Sequence, residues 1–148
     1  MHHTTKSDTA QKELQKNRWL LIADDDAAFI KALTDQLSNQ GFKVISALKV
    51  SEAIAKLSKQ KFECVLLDMR FEHASGEQII YTMRSDTVFN QNTPIIVMSG
   101  FLDPELVKRI GKQVNGFLVK PFNAEALLEK LNTVLASPQN RMNSTNIS

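Results

Sequence analysis

Phe62-Glu63-Cys64-Val65-Leu66-Leu67-Asp68 is the stretch on which the fold turns. Cys64 to Leu67 is an unbroken apolar run, too short for a helix, and such a run reads as a strand buried on both faces. It ends on a carboxylate. The end of a buried strand is a costly place for a charge unless a cation or hydrogen bonds compensate. A lone aspartate there reads equally well as a cap for the following loop, but this one is not alone. Leu20-Leu21-Ile22-Ala23 ends on Asp24-Asp25-Asp26, Pro94-Ile95-Ile96-Val97-Met98 ends on Ser99, and Gly116-Phe117-Leu118-Val119 ends on Lys120-Pro121. Four candidate strands each deliver a polar or charged group at the carboxyl end.

Between these runs the periodicity changes to that of helices. Asp26 stands where a cap would start a helix with Ile30, Leu33 and Leu37 on its inner face, and Gly41 is placed to end it as the C′ glycine. Phe42 to Ala47 reads as a further strand, and Val50, Ala53, Ile54 and Leu57 as a short amphipathic helix. Strand three spans Phe62 to Leu67, and Met69 to Ser75 is expected to be a loop. Gly76 leads into a helix with Ile79, Ile80 and Met83 inward, followed by a polar loop over Asp86 to Thr93. Asp103-Pro104-Glu105 combines an N-cap, an N1 proline and a first-turn acid. The helix it starts is short, because Gly111 ends it. Asn123 caps a last helix with Leu127, Leu128, Leu131 and Leu135 inward.

Five strands alternating with five helices predict an α/β, doubly wound, five-stranded parallel sheet with helices on both faces. In such sheets a ligand sits outside the carboxyl ends of the strands, where strand order reverses. With strand order 2-1-3-4-5, strands one and three are neighbours at that point. Asp24, Asp25 and Asp68 then converge, with Ser99 and Lys120 on the flank.

The chain has 148 residues, 43% hydrophobic and 23% charged, which suits one soluble domain with a real core. No apolar run approaches the roughly 18 residues of a membrane span. The polar start shows no secretory h-region, so a cytoplasmic location is expected. Cys64 alone permits neither a disulfide nor a zinc site and reads as a buried apolar residue. Acidic and basic residues balance between Arg18 and Ala136. The net charge of +2 comes from Lys6, Lys12, Lys16 and Arg141 against Asp8 and Glu13, so no basic nucleic-acid face is expected. The expected organisation is a flexible N-terminal arm over 1–17, one domain over 18–136 and a disordered C-terminal tail over 137–148.

Three clustered carboxylates repel one another, and a hard divalent cation such as Mg²⁺ resolves that repulsion with carboxylate and phosphate oxygens. A carboxylate can also act as a nucleophile and form an aspartyl phosphate. Phosphoryl transfer needs charge neutralisation above all, which Mg²⁺ and the Lys120 ammonium supply, with the Ser99 hydroxyl as a donor. No glycine-rich phosphate loop follows the first strand. His73, after Asp68, reads as a solvated loop residue.

Ala23-Asp24-Asp25-Asp26, Leu66-Leu67-Asp68, Gly76, Val97-Met98-Ser99-Gly100 and Lys120-Pro121-Phe122 together resemble the receiver domain of two-component response regulators, the chemotaxis receivers included. The resemblance covers about Arg18 to Ala136 and implies a flavodoxin-like receiver fold. It implies that Asp68 is the phosphoacceptor, served by a sensor histidine kinase or a histidine phosphotransfer protein. It also implies a Mg²⁺ site of Asp24 (mainly through water), Asp25, Asp68 and the Arg70 backbone carbonyl, and a Lys120 contact to the phosphoryl group with a cis Lys120-Pro121 bond. Ser99 takes the family's Thr/Ser position and Phe117 its aromatic switch position, while Arg70 and Phe101 flank the phosphoryl group. Two positions depart from the family: Glu72 stands where proline is frequent, and Gly100 where alanine or another small residue is usual. On this reading the chain is a phosphoacceptor switch that assists its own phosphorylation and dephosphorylation and is not otherwise an enzyme. The stretch after Ala136 is too short for an attached DNA-binding domain, so output is expected through a partner protein, unless the chain is a fragment of a longer regulator. No direct contact with nucleic acid or membrane is expected. The rival readings are a phosphorylation-independent interaction module of the same fold and an aspartyl-phosphate hydrolase. Such hydrolases usually need a cap insertion and a second catalytic aspartate near the nucleophile, and Asp68-Met69-Arg70 offers none.

Overall fold

The structure, a computed structural model, describes residues 18–136. The expected arm over 1–17 and tail over 137–148 lie outside the described residues. In chain order the elements are β1 (Trp19–Ala23), α1 (Ala27–Ser38), β2 (Lys43–Ala47), α2 (Val50–Leu57), β3 (Cys64–Asp68), β4 (Arg70–Phe71), β5 (Ala74–Ser75), α3 (Glu77–Asp86), β6 (Ile95–Ser99), α4 (Pro104–Ile110), β7 (Gly116–Val119) and α5 (Ala124–Leu135). The five long strands form one sheet in the order β2-β1-β3-β6-β7, every pair parallel. This is the expected 2-1-3-4-5 order, with β4 and β5 standing apart as a small antiparallel pair. Among the described residues no helix is long and apolar enough to cross a membrane.

The two-residue period of the strands sorts the core into two layers. Leu21, Ala23, Val65, Leu67, Ile95 and Val97 face one layer, which α2 and α3 cover with Ala53, Leu57, Ile79, Ile80 and Met83. Leu20, Ile22, Cys64, Leu66, Ile96 and Met98 face the other, covered by Ile30, Leu33 and Leu37 of α1 and by Leu127, Leu131 and Val134 of α5. The central strands β3 and β6 are therefore buried throughout, and this is why they read as unbroken apolar runs. Cys64 is fully buried, as expected, and burial pushes its thiol up to about 12.

Caps set where the helices begin. Asp26 accepts from the Phe29 N–H at 3.1 Å, and Asn123 accepts from the Ala126 N–H at 2.8 Å. Asp103 accepts from the Glu105 N–H at 3.1 Å with Pro104 in the first turn, and α4 stops after seven residues at Gly111.

Four local expectations change. The C-cap of α1 is Asn39, so Gly41 lies beyond the C′ position and serves instead the left-handed turn into β2, with φ 91°. Met69 to Ser75 is not a featureless loop: Arg70 and Phe71 pair with Ser75 and Ala74, and His73 takes φ 64° in the turn between them. The stretch after α3 is polar, yet Asn90 and Thr93 are fully buried. The Asn90 amide donates to the carbonyls of Leu57 (2.7 Å) and Gln60 (2.8 Å), and its oxygen accepts from the Phe62 N–H (2.9 Å) and the Thr93 hydroxyl (2.9 Å). On α5 the fully turned-in positions are Leu127, Leu131 and Val134, with Leu128 and Leu135 only partly buried.

Candidate functional site: an acidic pocket at the strand ends

Asp24 follows β1 directly, and its N–H still bonds to the Ala47 carbonyl, so the ladder with β2 carries it to the rim of the sheet. Asp68 is the last residue of β3, the neighbour of β1. Asp25 lies in the turn between β1 and α1. Oxygen atoms of Asp24, Asp25 and Asp68 approach within 4.8 Å of one another. Asp24 is fully buried, Asp68 nearly so, and Asp25 exposed. The fourth strand end brings the cation. Lys120 follows β7, its N–H bonds to the Ser99 carbonyl at 2.7 Å, and its peptide bond to Pro121 is cis. Its Nζ donates to Asp24 Oδ2 at 2.7 Å and to Asp68 Oδ2 at 3.1 Å.

The electrostatics follow from burial and pairing. Burial raises the Asp24 pKa, the hydrogen bond from Lys120 opposes this, and burial prevails. Burial pulls Lys120 downward, but the hydrogen bond and charge of Asp24, then those of Asp68, outweigh it, and its pKa is raised. One ammonium among three carboxylates leaves the pocket with excess negative charge. The donors are all hard oxygens, partly buried and convergent, and Asp25 is open to solvent. That set fits Mg²⁺, which takes carboxylates while keeping waters and substrate oxygens.

Asp26, next in the chain, is turned away as the α1 cap, while its own N–H donates to Asp24 Oδ1 at 2.9 Å. The Arg70 N–H donates to Asp68 Oδ1 at 3.1 Å, so the chain after β3 folds back over the carboxylate. Ser99 ends β6 with its hydroxyl held locally: it donates to the Phe101 carbonyl at 2.7 Å and accepts from the Phe101 N–H at 3.2 Å. Phe101 is 65% exposed, and Phe117 is half-buried against the core beneath α3 and α4. His73 is exposed beside Glu72. It lines an open hollow of about 850 Å³ that reaches Asp25 between Leu48, Ile54 and Phe71. One neighbour of the pocket escaped the sequence reading. The Lys120 Nζ sits over the ring of Phe29, 4.1 Å from its centroid, and that ring meets Phe122 edge-on at 5.9 Å. An aromatic residue on the apolar side of a helix reads as core, so its position one turn after Asp25 was the only signal.

The sequence compares with known proteins as follows. The acid tolerance regulatory protein ActR of Rhizobium meliloti is 29% identical over 133 residues, covering 86% of this chain and 67% of ActR. The transcriptional regulatory protein GlrR of Escherichia coli K12 is 26% identical over 117 residues, covering 78% of this chain and 26% of GlrR, so this chain spans about a quarter of that regulator's length. The chemotaxis response regulator CheY4 of Vibrio cholerae superposes with a TM-score of 0.71 at 28% identity, over 79% of this chain and 98% of CheY4. A family model described as "Response regulator receiver domain" matches residues 20–132, a span that takes in all four strand ends of the acidic pocket, and the chain belongs to that family of receiver domains.

Proposed function

We propose that this domain is a Mg²⁺-dependent phosphoacceptor switch in which Asp68 receives a phosphoryl group from a phosphohistidine on a sensor kinase or a phosphotransfer protein. The observation that carries the proposal is the convergence on Asp68 of Lys120 at 3.1 Å and of the Asp24 and Asp25 carboxylates. One Asp68 carboxylate oxygen attacks phosphorus, a P–O bond forms as the P–N bond breaks, and the imidazole nitrogen leaves with the electron pair and takes up a proton. Asp24, Asp25, Asp68 and the Arg70 carbonyl are the residues that would hold Mg²⁺, which when bound neutralises negative charge on the transferring group. Lys120 supplies a second positive charge from the opposite flank and orients the Asp68 oxygen it already touches. The Arg70 N–H on Asp68 Oδ1 orients the other oxygen.

The product adds negative charge and strong acceptors beside Ser99. The Ser99 hydroxyl turns from the Phe101 carbonyl to a phosphoryl oxygen, and the start of α4 loses a tether. Phe117, half-buried under α4, turns inward, and the altered α4 surface changes the affinity for an output protein. Dependence on a kinase phosphodonor puts the domain in the cytoplasm, acting on partner proteins rather than on nucleic acid or membrane. The phosphorylation-independent module finds no support in the residues, because Asp25, Asp68 and Lys120 are all kept.

Incubation with acetyl phosphate and Mg²⁺, read by intact mass, tests the reading. One phosphoryl group is expected on the wild type and none on Asp68→Asn. Undiminished labelling of the variant refutes Asp68 as acceptor.

A further inference from the structure

We propose that Phe29 is a positioning residue for Lys120, its ring face covering one side of the ammonium and holding it against the carboxylates. The inference rests on the phosphoacceptor reading. The Lys120 Nζ has three N–H bonds to place. Asp24 and Asp68 accept on one side, and the Phe29 ring covers another at 4.1 Å from its centroid. That distance lies within the range in which the negative face of an aromatic ring attracts an ammonium, and the attraction grows where water is excluded.

The ring is itself held in place. Phe29 occupies the first turn of α1, where its N–H donates to the Asp26 cap at 3.1 Å. The edge of Phe122, two residues beyond Lys120, meets it at 86° and 5.9 Å. The short stretch from Asp24 to Phe29 therefore brings both one of the two carboxylates that accept from Lys120 and the ring that shares the cation. A water in the place of the ring would compete for the ammonium's third N–H and let the side chain swing outward. With the ring there, that side is closed to the charge, which favours its staying by the oxygen that attacks phosphorus and the phosphoryl group that follows.

The test replaces Phe29 with leucine, which keeps apolar packing against Phe122 but has no ring face, and with phenylalanines carrying one, two and three ring fluorines. Fluorination keeps the shape and weakens the negative face step by step. Labelling of Asp68 by acetyl phosphate is expected to slow about three- to tenfold in Phe29→Leu and in graded steps along the fluorinated series. Melting temperature, read alongside, should stay nearly level along that series, so a packing role alone does not produce the gradient. In the unphosphorylated protein, the Lys120 ε-methylene proton resonances should lie upfield from the ring current and return downfield in Phe29→Leu. Equal labelling rates across the series overturn the proposal, as do Lys120 resonances that ignore the substitution. Failure of the wild type to take up phosphate at all is a different result. It removes the phosphoacceptor reading, and with it the role assigned to Phe29, while the resonances still decide whether the contact exists.

Discussion

Replacing Gly76 with alanine sets two physical effects against each other. Gly76 precedes α3 with φ −62° and ψ −17°, an ordinary right-handed conformation that any residue adopts. On backbone freedom alone the alanine should stabilise, by about 0.4–1 kcal/mol. Packing says the opposite. A Cβ at this position would lie 2.6 Å from the Asp68 carbonyl oxygen, 3.0 Å from Met69 Cα and 3.2 Å from Met69 Sδ. The first contact is 0.4 Å inside the 3.0 Å floor of real Cβ contacts, and its partner is backbone at the end of a buried strand, which cannot rotate away. Overpacking of this kind costs about 1–3 kcal/mol, and the rigid partner puts Gly76→Ala in the upper half of that range. Net of the chain-entropy gain, a loss of about 1–2.5 kcal/mol remains, equivalent to a drop in Tm of roughly 4–12 °C for a domain of this size. Thermal unfolding followed by circular dichroism measures it. Gly100→Ala is the internal control, since no atom lies within 4 Å of its would-be Cβ, and it should melt with the wild type or slightly above. Because the clash presses on Asp68 itself, Gly76→Ala should also accept phosphate more slowly, whereas Gly100→Ala should not. A Gly76→Ala protein as stable as the wild type would refute the close approach of α3 to the end of β3.

Asn90→Ala removes an amide that serves backbone groups of Leu57, Gln60 and Phe62, and each buried partner left orphaned costs about 1–3 kcal/mol. A loss of about 3 kcal/mol or more is expected by urea denaturation, and Asn90→Asp, which cannot donate to the two carbonyls, should also be destabilised; a change under about 1 kcal/mol would contradict the network. Asp26→Ala should cost about 1 kcal/mol of stability as a lost cap and leave Mg²⁺ affinity nearly unchanged, whereas Asp25→Ala should weaken Mg²⁺ binding severely in a titration. Equal effects of the two on the metal would show that the carboxylates have been misassigned. Cys64, fully buried and with its thiol raised, should resist an aromatic disulfide reagent in the native protein and react fully in denaturant. Fast native labelling would mean that β3 opens readily.

The sheet was legible because a parallel strand covered on both faces has no solvent side to break its apolar run, so β3 and β6 stand out directly. The pocket was legible because β1, β3, β6 and β7 lead into or end on Asp24, Asp68, Ser99 and Lys120, and the topology brings those ends together. The β4–β5 pair was not, because two-residue strands are too short to carry a period. Asn90 looked like one more polar loop residue, since its partners are backbone groups of Leu57, Gln60 and Phe62, and backbone leaves no trace in side-chain identity. Phe29 was hidden for a related reason: an apolar residue at helical spacing reads as core, and only the fold shows which charge its ring faces.

Arg84 gives α4 a fixed end. Its guanidinium donates to the Gln113 carbonyl from Nε (3.0 Å) and Nη2 (2.8 Å), and from Nη1 to the carbonyls of Gln91 (3.0 Å) and Thr93 (2.8 Å). Asn115 joins the same knot through Ile95 N–H at 2.9 Å. The chain leaving α4 is thus clamped to α3 and to the entry of β6, at the amino ends of the strands and so opposite the carboxylates. At its other end α4 is tethered through the loop that Ser99 holds. A rod of seven residues, about 10 Å long, pinned at one end and released at the other, swings about its pin. If phosphorylation of Asp68 costs the hydrogen bond near Phe101, the displacement is expected to be largest at the N-terminal end of the helix and least near Gln113. Arg84 holds the pinned end of that lever together with the Arg109–Glu77 pair, and a lysine in its place, lacking the planar fork, would lose the paired bond to the Gln113 carbonyl.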